Sequence, residues 1–223
     1  MFAIAVLILF AGRSCTWASK YNFVLEDSDI FTECEVKPPG SIGIRGVFDM
    51  DNLVFEPEED GVHVSGNFTA TLNYSRTDRI TARFQVMQYN RGSWDPTLYS
   101  MMTPDLCSVL FSESQYYYQY WFKNVVNREE IQEKCIITRN VGMHSPWARL
   151  SFLSLVLFQT TVILKPFVMN LRLENVRVPV PLRGRFKVVY TFTIYDENDV
   201  QRPTNVCFEI RGELIKINSE ESS

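Results

Sequence analysis

Val62 to Tyr74 alternates residue by residue. Val62, Val64, Phe68, Ala70, Leu72 and Tyr74 fall on one face, and His63, Ser65, Asn67, Thr69, Thr71 and Asn73 on the other. A period of two predicts a strand with one face buried and one wet. Ile80 to Tyr89 repeats the pattern, with Ile80, Ala82, Phe84 and Val86 set against Thr81, Arg83 and Gln85. The polar Ser75–Asp78 stretch between the two runs predicts a hairpin turn. Upstream, Lys37-Pro38-Pro39-Gly40 breaks the chain, and Ile44 to Phe55 predicts a pair of short strands.

The rhythm changes after Arg91-Gly92-Ser93-Trp94. Thr103-Pro104-Asp105 has the form of an N-cap, a proline at the first helical position and an early acid. Leu106, Val109 and Leu110 follow at helical spacing. Gln115 to Val126 is dense in aromatics (Tyr116, Tyr117, Tyr118, Tyr120, Trp121, Phe122), which suits either a packing surface or a wall facing a partner. Asn127 is placed to cap a last short helix carrying Glu129, Glu130 and Glu133. The predicted helical excursion therefore runs over about residues 103–134.

Strands return near the C-terminus. Phe167, Met169, Leu171 and Leu173 alternate with Val168, Asn170, Arg172 and Glu174. Val178-Pro179-Val180-Pro181-Leu182 reads as an extended link. Phe186–Tyr195 and Val206–Ile217 predict a final pair joined through Asp196–Thr204, with Phe208, Ile210 and Leu214 opposite Glu209, Arg211 and Glu213. Together these elements predict a mainly β fold, a two-sheet antiparallel sandwich over residues 19–218, followed by a polar tail at 219–223.

One stretch breaks the pattern. Trp147 to Leu164 is eighteen residues, mostly apolar, close to the length of a membrane span. Arg149, Gln159, Thr160 and Thr161 dilute it, and a span would put Cys135 and Cys207 on opposite sides of a bilayer. The chain is therefore expected not to be an integral membrane protein. The stretch reads as a buried helix or strand. Alternatively, residues 141–165 are an atypical insertion, such as translated intron, which a transcript spliced without these codons would reveal.

The N-terminus changes the reading of the cysteines. Phe2 to Phe10 is unbroken apolar or small, and Thr16-Trp17-Ala18 offers small residues for cleavage after Ala18. The run is too short to span a bilayer, so residues 1–18 read as a secretory signal peptide. The expected location is extracellular. Cleavage would leave Cys34, Cys107, Cys135 and Cys207, which allow three pairings in an oxidising compartment. Cys107 and Cys135 bracket the helical excursion, so we favour Cys107–Cys135 with Cys34–Cys207. The latter closes a loop whose constraint is worth roughly 4–5 kcal/mol in chain-entropy terms. Two sequons, at Asn67 and Asn73, lie six residues apart on the polar face of one predicted strand, where glycans would stand in solvent.

Composition narrows the chemistry. Lys+Arg of 22 against Asp+Glu of 26 gives a net charge of −4, with no basic run, which argues against nucleic acid as a partner. No cysteine has zinc spacing, the only histidines are His63 and His144, and no nucleophile-elbow, metalloprotease or phosphate-loop motif occurs. No metal, cofactor or enzymatic activity is expected. A serine hydrolase would have to use His63, beside a predicted glycan, or His144, beside the anomalous stretch. The acids of Glu58-Glu59-Asp60 and Glu129-Glu130 read as a solvated turn and a helix start.

Several stretches resemble the insect chemosensory CheB family of secreted proteins. They are Tyr21–Asp27, Asp60–Asn67, Arg91–Thr97, Pro104–Cys107 and Arg202–Glu213, in order along most of the chain. That family is distantly similar to the ganglioside activators and the ML lipid-recognition domains. Residues 141–165 have no counterpart there. The resemblance implies an immunoglobulin-like sandwich with an apolar cavity, and a role in gustatory or pheromone perception through binding a lipid or cuticular-hydrocarbon-like molecule. A membrane chemoreceptor or channel is the implied further partner. Large side chains on inner sheet faces can splay two sheets and leave a pocket. The expected wall residues are Phe68, Leu72, Phe84, Val86, Phe186, Val188, Tyr190 and Phe192. Two other functions compete with this one: an extracellular module that modulates a receptor without its own ligand, and a secreted lipid hydrolase.

Overall fold

The computed structural model describes residues 19–27, 29–72, 74–75, 77–136, 160–176 and 182–217. The predicted signal peptide, Asn73, His144, residues 141–159 of the suspected insertion, the Val178–Pro181 part of the extended link and the tail lie outside them.

The predicted sandwich is present. Its first strands are β1 (Ser19–Leu25), β2 (Thr32–Glu33), β3 (Ser41–Ile42), β4 (Phe48–Asp49), β5 (Leu53–Glu58), β6 (Gly61–Ala70), β7 (Arg79–Asn90) and β8 (Ser93–Thr103). Three short helices follow, α1 (Leu106–Val109), α2 (Tyr116–Tyr120) and α3 (Arg128–Lys134). The last strands are β9 (Thr161–Met169), β10 (Arg172–Val176), β11 (Gly184–Tyr195) and β12 (Asn205–Ile217). The larger sheet runs β10-β1-β12-β11-β7-β8, with β2 and β3 also on β12. In the smaller sheet, β6 pairs with β4 and β5 and also with β9. The pairings are antiparallel except the short β3–β12 one.

The alternation read from sequence survives as burial. Val62, Val64 and Ala70 of β6 face Ile80, Ile194, Val206 and Phe208 of the larger sheet in one apolar core. Leu106, Leu110, Phe111 and Ile131 of the helical layer join the same core. A second, smaller cluster gathers Tyr21, Phe186 and Leu214. Cys34 pairs with Cys207 and Cys107 with Cys135. The first bridge ties the β2 region to the central strand β12. The second ties α1 to the end of α3.

Four details differ from the pattern-based expectation. The strand predicted to reach Tyr74 ends at Ala70. Ser93–Thr103, unassigned from sequence, is edge strand β8, so Thr103 ends a strand and the helix cap is Asp105, whose side chain accepts from the Ser108 N–H at 3.3 Å. Asn127 does not cap α3 through its side chain. Its amide instead donates to the Thr161 carbonyl at 2.7 Å and accepts from the Ile163 N–H at 3.0 Å, fastening the helix to β9. The run Phe167 to Leu173 is two strands in two sheets, with the chain crossing between them at Asn170-Leu171.

The suspected insertion also loses its last residues. Thr161–Lys165 belong to β9, where Val162 and Leu164 are buried against the core. Pro166 is tolerated there because β9 is an edge strand. No helix among the described residues is long and apolar enough to cross a membrane.

Polar contacts cover the outer face of the larger sheet. Lys187 and Glu209 are almost wholly buried, at 4% and 2% side-chain exposure, and pair at 3.0 Å. Glu209 also accepts from the Arg211 guanidinium at 2.9 Å and from the Glu35 backbone N–H at 2.9 Å. The Lys187 ammonium lies 4.7 Å from the centre of the Trp94 ring. Every charge here has a partner, which is the condition for burying charge at tolerable cost.

Candidate ligand groove

The predicted wall residues do not form one surface. Phe84, Tyr190 and Phe192 share the inner face of the larger sheet. Tyr190 stacks on Phe208 with centroids 4.8 Å apart, and Phe192 meets the same ring edge-on at 5.8 Å. Phe84 touches Tyr190 at 6.0 Å and Tyr116 of α2 at 6.5 Å. Burial among these rings pushes the Tyr190 hydroxyl up to about 12, with the neighbouring Tyr120 hydroxyl adding to the shift. Phe68 belongs to the opposite sheet, edge-on to Phe48 at 5.2 Å, and Leu72 packs beside the same core. Phe186 and Val86 belong to the smaller cluster with Tyr21. Val188 is half-buried between the two groups along β11. The rings of the tyrosine-rich stretch pack chiefly inward: Tyr117, Tyr118, Tyr120, Trp121 and Phe122 lie against the core, and Tyr116 is exposed.

A concavity opens elsewhere, at one end of the sandwich. Its volume is about 280 Å³. Its lining comes from three distant segments: residues 22–27 in and after β1, residues 57–62 of the β5–β6 hairpin, and the crossing residues 170–172. None of the eight predicted wall residues lines it.

Local structure explains the shape. The Phe23 N–H donates to the Leu171 carbonyl at 3.1 Å, which joins β1 to the crossing. Gly61 adopts a φ of +147°, and a Cβ there would stand 2.8 Å from the Met169 carbonyl oxygen, so glycine lets the hairpin close onto the end of β9. Gly212 of β12 leaves room for the Phe23 ring, since a Cβ would lie 2.6 Å from it. Phe23, Leu25, Val62 and Leu171 thus make an apolar floor that leads toward both core clusters.

The rim is charged. Glu26, Asp27, Glu58, Glu59 and Asp60 line the groove against one base, Arg172. Arg185 grips Glu26 through two hydrogen bonds of 2.6 and 2.9 Å, which holds that carboxyl below its usual range. On the hairpin, His63 Nε2 lies 2.9 Å from Asp60 and 3.5 Å from Glu58. Its hydrogen bond with Asp60 raises the imidazole and lowers the carboxyl. These three side chains bring donor atoms within 4.8 Å of one another, a grouping of the kind that can hold a metal ion. Of the two sequon asparagines, Asn67 is half-buried on β6, and its backbone N–H donates to the Asn52 carbonyl at 3.1 Å.

The acidic turn was visible in sequence, and Asp60-Gly61 is itself a hairpin signal. Its neighbours were not, because they lie far away along the chain. No protein-family model matches the chain, and no curated protein matches it.

Proposed function

We propose that the protein is a secreted, non-enzymatic binder of a lipid-like or hydrocarbon-like molecule, acting in chemosensory perception as its resemblance to the CheB family implies. The observation that carries the binding reading is the apolar-floored groove at the end of the sandwich, with Leu25, Val62 and Leu171 continuous with the core. Two disulfides and the absence of a spanning helix among the described residues are compatible with export. Hydrocarbon burial contributes about 0.8 kcal/mol per methylene, so a chain molecule needs little polar recognition. Native mass spectra of the secreted protein, recorded before and after organic extraction, test the reading. A reproducible loss of mass is expected. No loss, with no uptake of added long-chain hydrocarbon, would overturn it. The same spectra report glycans at Asn67 and Asn73 as mass removed by an N-glycosidase.

A second reading has its own support. Leu98 is 99% exposed on edge strand β8, beside exposed Tyr99 and Met102. An extracellular module that modulates a chemoreceptor or channel would use such side chains. Leu98→Asp is expected to leave stability within about 0.5 kcal/mol of the parent. A loss of receptor modulation in that variant, with ligand uptake intact, would favour this reading.

A further inference from the structure

The groove that carries the proposed binding role has a polarity of its own. Its floor is Phe23, Leu25, Val62 and Leu171, and its rim sets five carboxylates against Arg172. Arg185, bound to Glu26, and the His63 imidazole beside Asp60 and Glu58 add to Arg172, and the five rim carboxylates still outnumber these three bases. A concave apolar surface rimmed by one sign of charge concentrates ligands of the other sign. The floor asks for hydrocarbon and the rim asks for a cation, and one molecule can satisfy both.

We propose that the groove takes a cationic amphiphile, with an ammonium head on the Glu58–Asp60 rim and its chain across Phe23, Val62 and Leu171. This rests on the apolar-ligand reading and narrows it from neutral hydrocarbons to alkyl amines or alkylammonium ions. The cavity's 280 Å³ has room for about nine water-sized groups, which suits a short chain or the first part of a long one. The two glycines that shape the site hold the floor against the rim. Gly61 brings the acidic hairpin onto the crossing, and Gly212 lets Phe23 lie under it.

The test uses three octyl compounds that differ only in head group: octyltrimethylammonium, octanol and octyl sulfate. Each is titrated into the isotope-labelled secreted protein below its micelle concentration, with amide shifts as the readout. The cation is expected to move Val62 and Leu171 saturably and to bind about tenfold more tightly than the alcohol. Octyl sulfate is expected not to bind. Raising salt from about 0.01 M to about 1 M shortens the Debye length from about 30 Å to about 3 Å and should remove the cation's advantage without any mutation. The variant Glu58→Gln/Glu59→Gln/Asp60→Asn should bring the cation down to the alcohol's affinity. If the alcohol or sulfate binds as tightly as the cation, or the shifts fall on Phe84 and Tyr190 instead, this inference fails and the apolar-ligand reading stands. If none of the three compounds binds, both fail.

Discussion

His63 and Lys187 show two ways in which a single charge is held. His63 sits on an exposed hairpin, and its hydrogen bond with Asp60 raises the imidazole above 6.5 while lowering the carboxyl below 3.8. The raised base steadies the fold fully below 6.5, and its contribution is lost as pH rises through the folded-state value. The lowered acid steadies it above 3.8, and that contribution is lost as pH falls through its own folded-state value. The hairpin is therefore tightest in mildly acidic solution. NMR titration should show the His63 midpoint moving down in Asp60→Asn; an unmoved midpoint would contradict the pairing. Lys187 is the opposite case, enclosed with Glu209 behind Trp94. Lys187→Met leaves the buried Glu209 carboxylate short of a partner and should cost about 3 kcal/mol in urea unfolding. Lys187→Met/Glu209→Met should recover most of that loss, because the buried charges leave together and Arg211 keeps Glu35 at 3.6 Å. Gly212→Ala is expected to cost about 1–3 kcal/mol, since its Cβ would lie 2.5 Å from the Val24 carbonyl oxygen and 2.6 Å from the Phe23 ring.

Elements differ in how plainly the sequence announces them, and the reasons are physical. β6, β7, β11 and β12 alternate larger apolar with polar or smaller side chains over much of their length, so the period of two marks them even where both faces are buried, as at Asn205–Glu209 of β12. β8 hides because its register breaks. Between Pro96, opposite Met87, and Ser100, opposite Gln85, three of its residues face Val86 alone, and that bulge erases the period. The same bulge and Pro96 blunt an edge that would otherwise invite another strand. The β9–β10 crossing hides for the opposite reason: the alternation runs through Asn170-Leu171 unbroken while the chain changes sheets. That crossing supplies part of the groove, so the site was illegible where the switch was. Asn127 carries the signal of a cap, but its side-chain amide bonds two β9 backbone groups and the Glu130 carboxylate instead of the backbone N–H groups of its own helix start. Asn127→Ala should therefore free both ends of that link and loosen α3 from β9, read as faster hydrogen exchange at Ile163.

Across the whole molecule, β12 is the hub. It pairs with β1, β2, β3 and β11, and Cys207 on it closes a bridge to Cys34 across a separation of 173 residues. Loop-closure entropy makes that bridge worth about 5 kcal/mol, against about 3.5 kcal/mol for Cys107–Cys135 with its separation of 28. Replacing Cys34 and Cys207 by serine should lower the unfolding midpoint further than replacing Cys107 and Cys135, and an equal or reversed order would count against the constraint argument. The placement of the hub also sets a schedule for the chain's manufacture. A ribosome makes β12 after the other described strands, so β1, β2, β3 and β11 emerge without the neighbour that joins them. The larger sheet cannot assemble until β12 has emerged, and Cys34 cannot meet its partner before Cys207 does. Any message truncated shortly before β12 therefore yields a product that lacks both the strand joining β1, β2, β3 and β11 and the partner of Cys34.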